Sequence, residues 1–389
     1  MSRAITEIRL GHAANCSALG NVLNVLVWSQ VAAAGVWAAA EAWQTRRRRP
    51  EPGGGETRLT QDPSALVRTG EAEGGPREAH LQITEACGLP CKSCYMETSA
   101  AGAHVPLEVV EERLRVLARE GVMRVALGGG EPLRHPDLAS IAAAARSLGL
   151  AVGVTTSGVG TTTDLFGFDQ VNVSLDGLGS TFTASRGYDG SAVALATIRR
   201  LALQRVRVGV NVVLEQDNFD EVEETVAAAV QAGARDVQLL RLKPVGKALA
   251  GYDTRRLTLP QRLAIWPLAQ RLMARFPGVT VRLDCASVPF LAAHDVDIER
   301  LKAFGFRGCA GSVELVSMNT AGARHACSFV PGEANAAAWK RGVTEGPCAD
   351  CAYQPICKGG CHAVAGAVTG ERFAPDPECP RVIAAGASA

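Results

Sequence analysis

Seven cysteines in the last fifth of the chain have a spacing that dictates how that region closes on itself. Twelve residues lie between Cys309 and Gly322, and four more precede Cys327. Two, five and three residues then separate Cys348, Cys351, Cys357 and Cys361, and Cys379 ends the series. A second group, Cys87-Gly-Leu-Pro-Cys91-Lys-Ser-Cys94, lies far upstream. A sulfur-ligated zinc or iron–sulfur centre takes four thiolates, and the upstream group supplies three. Three thiolates leave a metal position open to a small molecule, whereas a structural site is normally closed. The pattern therefore points to several metal centres, one of them short of a ligand. Zinc is the plainer alternative for the C-terminal seven.

At 389 residues and 47% hydrophobic content, the chain is long enough for more than one domain and an ample core. Twelve cysteines in such a chain read as metal ligands in a reducing cytoplasm, not as a disulfide framework. A net charge of +1 gives no electrostatic case for a nucleic-acid partner.

Residues 22–43 are apolar over a length that suffices to cross a bilayer. The run Arg46-Arg47-Arg48-Arg49 follows, which would keep the rest of the chain on the cytoplasmic side. Asn24, Ser29, Gln30 and Glu41 weaken a spanning reading, and charges after the apolar stretch fit a cleaved signal peptide poorly. Three readings of residues 1–43 stay open. The segment is an anchor touching the inner membrane face through residues 22–43, a docking helix, or a fused precursor-like peptide carrying Cys16. Residues 44–79, with Pro50-Glu-Pro-Gly-Gly-Gly55, read as a flexible linker. They leave no room for a winged-helix peptide-recognition domain.

From His80 the pattern alternates. A strand over His80–Thr84 runs into the upstream cysteines, and a helix after Pro106 places Leu107, Val110, Leu114 and Leu117 on one face. A strand at Val122–Leu127 follows, ending in Gly128-Gly129-Gly130-Glu131. Helix 136–148, strands 150–156 and 170–175, helix 191–204, strand 206–214, helix 219–232 and strand 236–241 continue the series. Alternating strands and helices give an α/β fold with a parallel sheet, and six such units suit a partial (β/α)6 barrel. The expected division is a barrel over 80–305 and a small cysteine-rich α+β domain over 306–389. In barrels, chemistry gathers at the C-terminal ends of strands, where these motifs fall.

The Cys-x3-Cys-x2-Cys trio resembles the signature of radical S-adenosylmethionine (SAM) enzymes. The resemblance implies a 4Fe-4S cluster on Cys87, Cys91 and Cys94, with SAM chelating its open iron. Gly129, Gly130 and Glu131 resemble the family's Gly-Gly-Glu element, which receives the SAM ammonium. Ser174 and Asp176 would meet the ribose and methionine groups, and Arg186 the SAM carboxylate. Thr156, Ser157 and Asn211 are further strand-end candidates, and Leu242–Gly246 resembles the turn closing over adenine. One departure is Ser93, where the family commonly has an aromatic residue before the third cysteine; Tyr95 stands just after it.

The C-terminal spacing, with Glu378-Cys379-Pro380, resembles the SPASM extension of radical SAM peptide and protein maturases. By that family's ligation, Cys309, Cys327 and Cys361 would hold a first auxiliary cluster, and Cys348, Cys351, Cys357 and Cys379 a second. Cys285 is the candidate fourth ligand of the first; an inert thiol and a hydrogen donor are its other readings. The implied reaction is oxidative modification of a ribosomally made peptide, with cross-linking as the leading form. Maturase-type oxidation of a protein Ser or Cys is the alternative. A non-catalytic iron–sulfur or zinc protein is the alternative of another class. The implied partners are a peptide or protein substrate, an external one-electron donor of flavodoxin or ferredoxin type, and a separate peptide-recognition protein. No residue stands out as a general base among Asp217, Asp253, Asp284 and Tyr252.

Overall fold

The computed structural model describes residues 76–160, 165–294, 296–299, 308–332 and 336–386. The apolar N-terminal segment, Cys16, the arginine run and residues 44–75 of the expected linker lie outside the described residues.

β1 (Glu78–Thr84) alternates through Ile83, burying Ala79, Leu81 and Ile83, and ends in buried Thr84. It pairs in parallel with β2 (Arg124–Gly129), and β3 (Ala151–Thr156), β4 (Gln170–Ser174), β5 (Val208–Leu214) and β6 (Asp236–Arg241) follow in chain order, all parallel. Helices make the crossovers, as parallel pairing requires: α1 (Leu107–Arg119), α2 (Leu138–Ser147), α3 (Gly179–Arg186), α4 (Ser191–Leu203) and α5 (Val222–Ala232). α1 buries Val110, Leu114 and Leu117, one stripe of a 3.6-residue period; Leu107 packs on the core edge. Valines of β2–β5 meet Ile141, Ile198, Leu201 and Val226 of the helices in one continuous core.

The alternation extends beyond the six expected units. α6 (Leu259–Arg275) opens with a capping box between Thr258 and Gln261, and β7 (Thr280–Leu283) adds a parallel strand to β6. α6 escapes a periodicity reading because Arg262 is buried among its apolar positions and Pro267 sits inside it.

On the other side of the sheet, β8 (Leu315–Met318) pairs in parallel with β1, Glu78 opposite Leu315 and Leu81 opposite Met318. β9 (Arg324–His325) returns antiparallel after a turn in which Gly322 takes φ +87. The cysteine-rich region thus contributes two strands to the same nine-stranded sheet, ordered β7-β6-β5-β4-β3-β2-β1-β8-β9. Its own cores are small: one joins Leu242, Trp339, Val364 and Cys361, the last at the start of α7 (His362–Thr369), and another joins Val288, Tyr353, Ile356 and Cys357. Among the described residues, no helix is long and apolar enough to cross a membrane.

Candidate active site

A cavity of about 190 Å³ opens at the C-terminal ends of β2–β6. Cys87, Cys91 and Cys94 share its lining with Gly129, Gly130, Glu131, Thr156, Ser157, Ser174, Asp176, Arg186 and Asn211. The SAM-contact candidates named from the sequence therefore face one space, except that of the turn after β6 only Leu242 and Lys243 line it and Pro244, Val245 and Gly246 do not.

Local chemistry explains how the cysteine loop is held. Gly130 N donates to Thr84 O at 2.7 Å and Glu131 N to Ala86 O at 2.9 Å. A Cβ on Gly129 would stand 2.3 Å from Thr84 O, and one on Gly130 2.5 Å from Ala86 O. Glycine is required here because the end of β2 lies directly on the segment leading into Cys87. On the far side of the loop, Ser93 Oγ donates to Glu215, whose second oxygen accepts from Arg255 at 2.6 Å. Ala248 N also reaches Cys94 O at 3.0 Å.

The two carboxylates in the lining are both engaged. Glu131 accepts from Thr156 Oγ1 (2.7 Å), Leu133 N (3.2 Å), Ser157 N (2.8 Å) and Ser157 Oγ (2.6 Å), fastening β2 to β3. Asp176 accepts from Val213 N at 2.7 Å and from Arg186 Nε. Arg186 Nη1 stands 4.0 Å from Cys91 Sγ, so one guanidinium joins Asp176 to the thiol loop. Burial alone would lower the Arg186 pKa, but Asp176 and Cys91 reverse that and hold its charge. Burial pushes the Cys91 and Cys94 thiols up, with Arg186 pulling both back.

Three polar atoms in this lining are buried without a partner: Ser185 Oγ, Asn211 Oδ1 and Arg241 Nε. Orphaned buried groups are uncommon, and these three are open to a further hydrogen-bond partner. None of Asp217, Asp253, Asp284 or Tyr252 lines the cavity. Asp217 borders a second, polar cavity beside Lys92 and Arg255. Asp253 pairs at the surface with Arg256. Asp284 pairs with Lys243, and Tyr252 donates to Glu378.

The C-terminal cysteines fall into two sets. Cys348, Cys351, Cys357 and Cys379 line one small cavity with Asp376. Cys309, Cys327 and Cys361 belong to a separate apolar cluster, and the Cys285 thiol lies beside that of Cys309. Burial pushes Cys327 up to about 12 and Cys361 and Cys348 up to about 11, so metal loading at these thiols must release protons. Among the described residues, no three His, Cys, Asp or Glu side chains converge as a single metal ion demands.

Between the barrel and these sets lies a buried ionic network that the sequence did not disclose. Arg241, at the end of β6, makes a bidentate pair with Asp376 (2.7 and 3.0 Å) and reaches Glu378 at 2.9 Å. Asp376 in turn accepts from Cys361 N at 2.9 Å. Its partners are more than a hundred residues apart in sequence, and no local spacing marks them.

Residues 81–229 match the Radical SAM superfamily. They form a radical SAM domain. Two curated relatives match most of the chain. Pre-heme d1 synthase of Dinoroseobacter shibae is 27% identical over 356 residues, covering 79% of this chain and 87% of its own. PqqA peptide cyclase of Streptomyces rochei is 28% identical, covering 79% of this chain and 90% of its own. In fold, the chain resembles Streptococcus suis SuiB bound to precursor peptide SuiA, with a TM-score of 0.65 and 15% identity, over 90% of this chain and 89% of that one. The superfamily brings a 4Fe-4S cluster and SAM. The radical SAM domain's lining suits both: three thiols and no imidazole form a soft donor set fit for iron–sulfur ligation. The orphaned Ser185, Asn211 and Arg241 atoms supply polar partners for a small molecule.

Proposed function

We propose that this chain is a radical SAM enzyme that oxidatively modifies a ribosomally made peptide, with an intrapeptide cross-link as the leading product. The observation that carries the reading is the sharing of one cavity by Cys87, Cys91, Cys94 and the strand-end polar residues. The 28% identity to a PqqA peptide cyclase supports a peptide substrate. The 27% identity to a pre-heme d1 synthase favours a second reading, in which the substrate is a tetrapyrrole.

Cys87, Cys91 and Cys94 would hold the cluster, which when bound supplies one-electron cleavage of SAM to methionine and a 5′-deoxyadenosyl radical. The chain's own task is to orient and to exclude water. Arg186, fixed by Asp176, presents a cation to a carboxylate, and Ser174 and Asn211 present hydrogen-bonding groups at the ends of β4 and β5. Glu131, bonded to Thr156 and Ser157, fixes the shape of the lining and would offer its carboxylate to the ammonium of SAM. Cys309, Cys327, Cys361 and Cys285 would hold one auxiliary cluster, and Cys348, Cys351, Cys357 and Cys379 another. A one-electron donor of flavodoxin or ferredoxin type and a cytoplasmic setting go with this chemistry. A separate peptide-recognition protein and membrane contact through residues 22–43 belong to the same reading.

The test is anaerobic reconstitution with iron and sulfide, followed by dithionite and SAM. About twelve irons per chain are expected from three four-iron clusters, with 5′-deoxyadenosine formed and a candidate peptide losing mass as hydrogen. Cys87→Ala should abolish deoxyadenosine. A peptide left unchanged while a tetrapyrrole turns over would select the second reading. Bound zinc without SAM cleavage would overturn both.

A further inference from the structure

Lys243 is a buried cation whose position is not explained by its ion pair alone. It follows β6, is 6% exposed, and its Nζ lies 2.6 Å from Asp284 Oδ2 and 3.0 Å from Arg241 O. Asp284 already accepts from Arg241 N at 3.2 Å and from Ser287 Oγ at 2.9 Å, so it has partners without the lysine. Burying an ammonium is costly, and an apolar residue at such a place is often no less stable.

What distinguishes the site is its neighbours. Asp284 immediately precedes Cys285, and Phe329, whose ring lies 4.5 Å beneath the ammonium, is two residues past Cys327. Phe329 also packs on Tyr95, next to Cys94, with ring centroids 5.0 Å apart. Lys243, Phe329 and Tyr95 all line the SAM cavity. The lysine is therefore part of the wall between that cavity and the Cys285–Cys309–Cys327–Cys361 set.

We propose that Lys243 is a positioning residue whose fixed charge raises the reduction potential of the iron–sulfur cluster held by Cys285, Cys309, Cys327 and Cys361. The inference rests on the auxiliary-cluster reading above. A positive charge in a low-dielectric wall favours the more negative, reduced state of a thiolate-ligated cluster. The set facing the cavity is thereby made the better electron acceptor than it would be without the lysine.

The test uses the full chain with Cys87→Ala, Cys91→Ala and Cys94→Ala, so that only the C-terminal sets load iron. Reduction is followed by electron paramagnetic resonance against applied potential. With Lys243→Met, one of the two auxiliary signals should shift to lower potential while the other stays in place, and Lys243→Arg should restore it. If the Met variant loads poorly, Lys243→Gln, which still donates to Asp284, carries the same expectation. Full loading with both potentials unmoved overturns the inference alone, and so does an equal shift of both. Failure of the Lys243-containing parent to load iron overturns the cluster reading itself, and the inference with it.

Discussion

The barrel and the cysteine-rich region that completes its sheet are held together by different means. The barrel has one broad apolar core, built from alternating strands and helix stripes. The C-terminal region has two small clusters in which Cys309, Cys357 and Cys361 are themselves among the buried residues. Removing apolar surface from water contributes roughly 25 cal/mol per Å², so a large core is self-sufficient and a small one is not. The barrel can therefore present an incomplete metal site without losing its fold. If the proposed auxiliary clusters are bound there, the C-terminal region would rely on them as structure.

The sharpest way to break that contrast is to withhold iron. Protein prepared without it should show hydrogen exchange near that of an unfolded chain over residues 354–369, while β2–β5 stay protected; structural metals contribute on the order of 10 kcal/mol in small metal domains. Equal protection of both regions would end the comparison. Next in size is Asp376→Ala, which strands the buried Arg241 charge and should cost about 3–5 kcal/mol, read as a lower denaturant midpoint of the C-terminal region. Asp376→Asn should cost less, because one oxygen still accepts.

Within the barrel, Glu131→Gln replaces an acceptor oxygen that Thr156, Ser157 or Leu133 uses, and should cost about 1–3 kcal/mol. A calorimetric Tm checks the stability, and weaker SAM binding should accompany its fall.

The smallest effect is at Glu78, at the start of β1. Burial pushes its carboxyl up, but the His80 imidazole, 3.6 Å away, and the charges of Arg124 and Arg282 outweigh this and hold it at about 2. A depressed carboxyl stabilises the folded state above its unfolded value of 4.5 and loses that contribution as pH falls from there toward 2. Acid titration of stability should therefore flatten in Glu78→Gln over that window, modestly, because the side chain is 38% exposed.

Much of this was legible in the sequence because it is local. Strand alternation at Leu81 and Ile83, the α1 stripe and the short cysteine spacings each declare themselves within a few residues. The parallel α/β class followed, as did the gathering of strand-end residues at one cavity. α3 and β7 were not foreseen: α3 buries only Phe182 and Ser185, and β7 is four residues long. Nor were the pairings that cross the chain. Arg241 with Asp376, Ser93 with Glu215, and Lys243 beside Cys285 depend on folded proximity, which residue spacing does not encode.

The pairing of Glu78 with Leu315 bears on how the chain is made. β1 leaves the ribosome with one edge lacking its partner, and that edge is covered only when β8 has been synthesised. Throughout that interval an open strand, a ready template for another chain, runs straight into the Cys87 loop. A product cut short before Leu315 keeps this edge permanently and is the form of the protein most prone to join others of its kind.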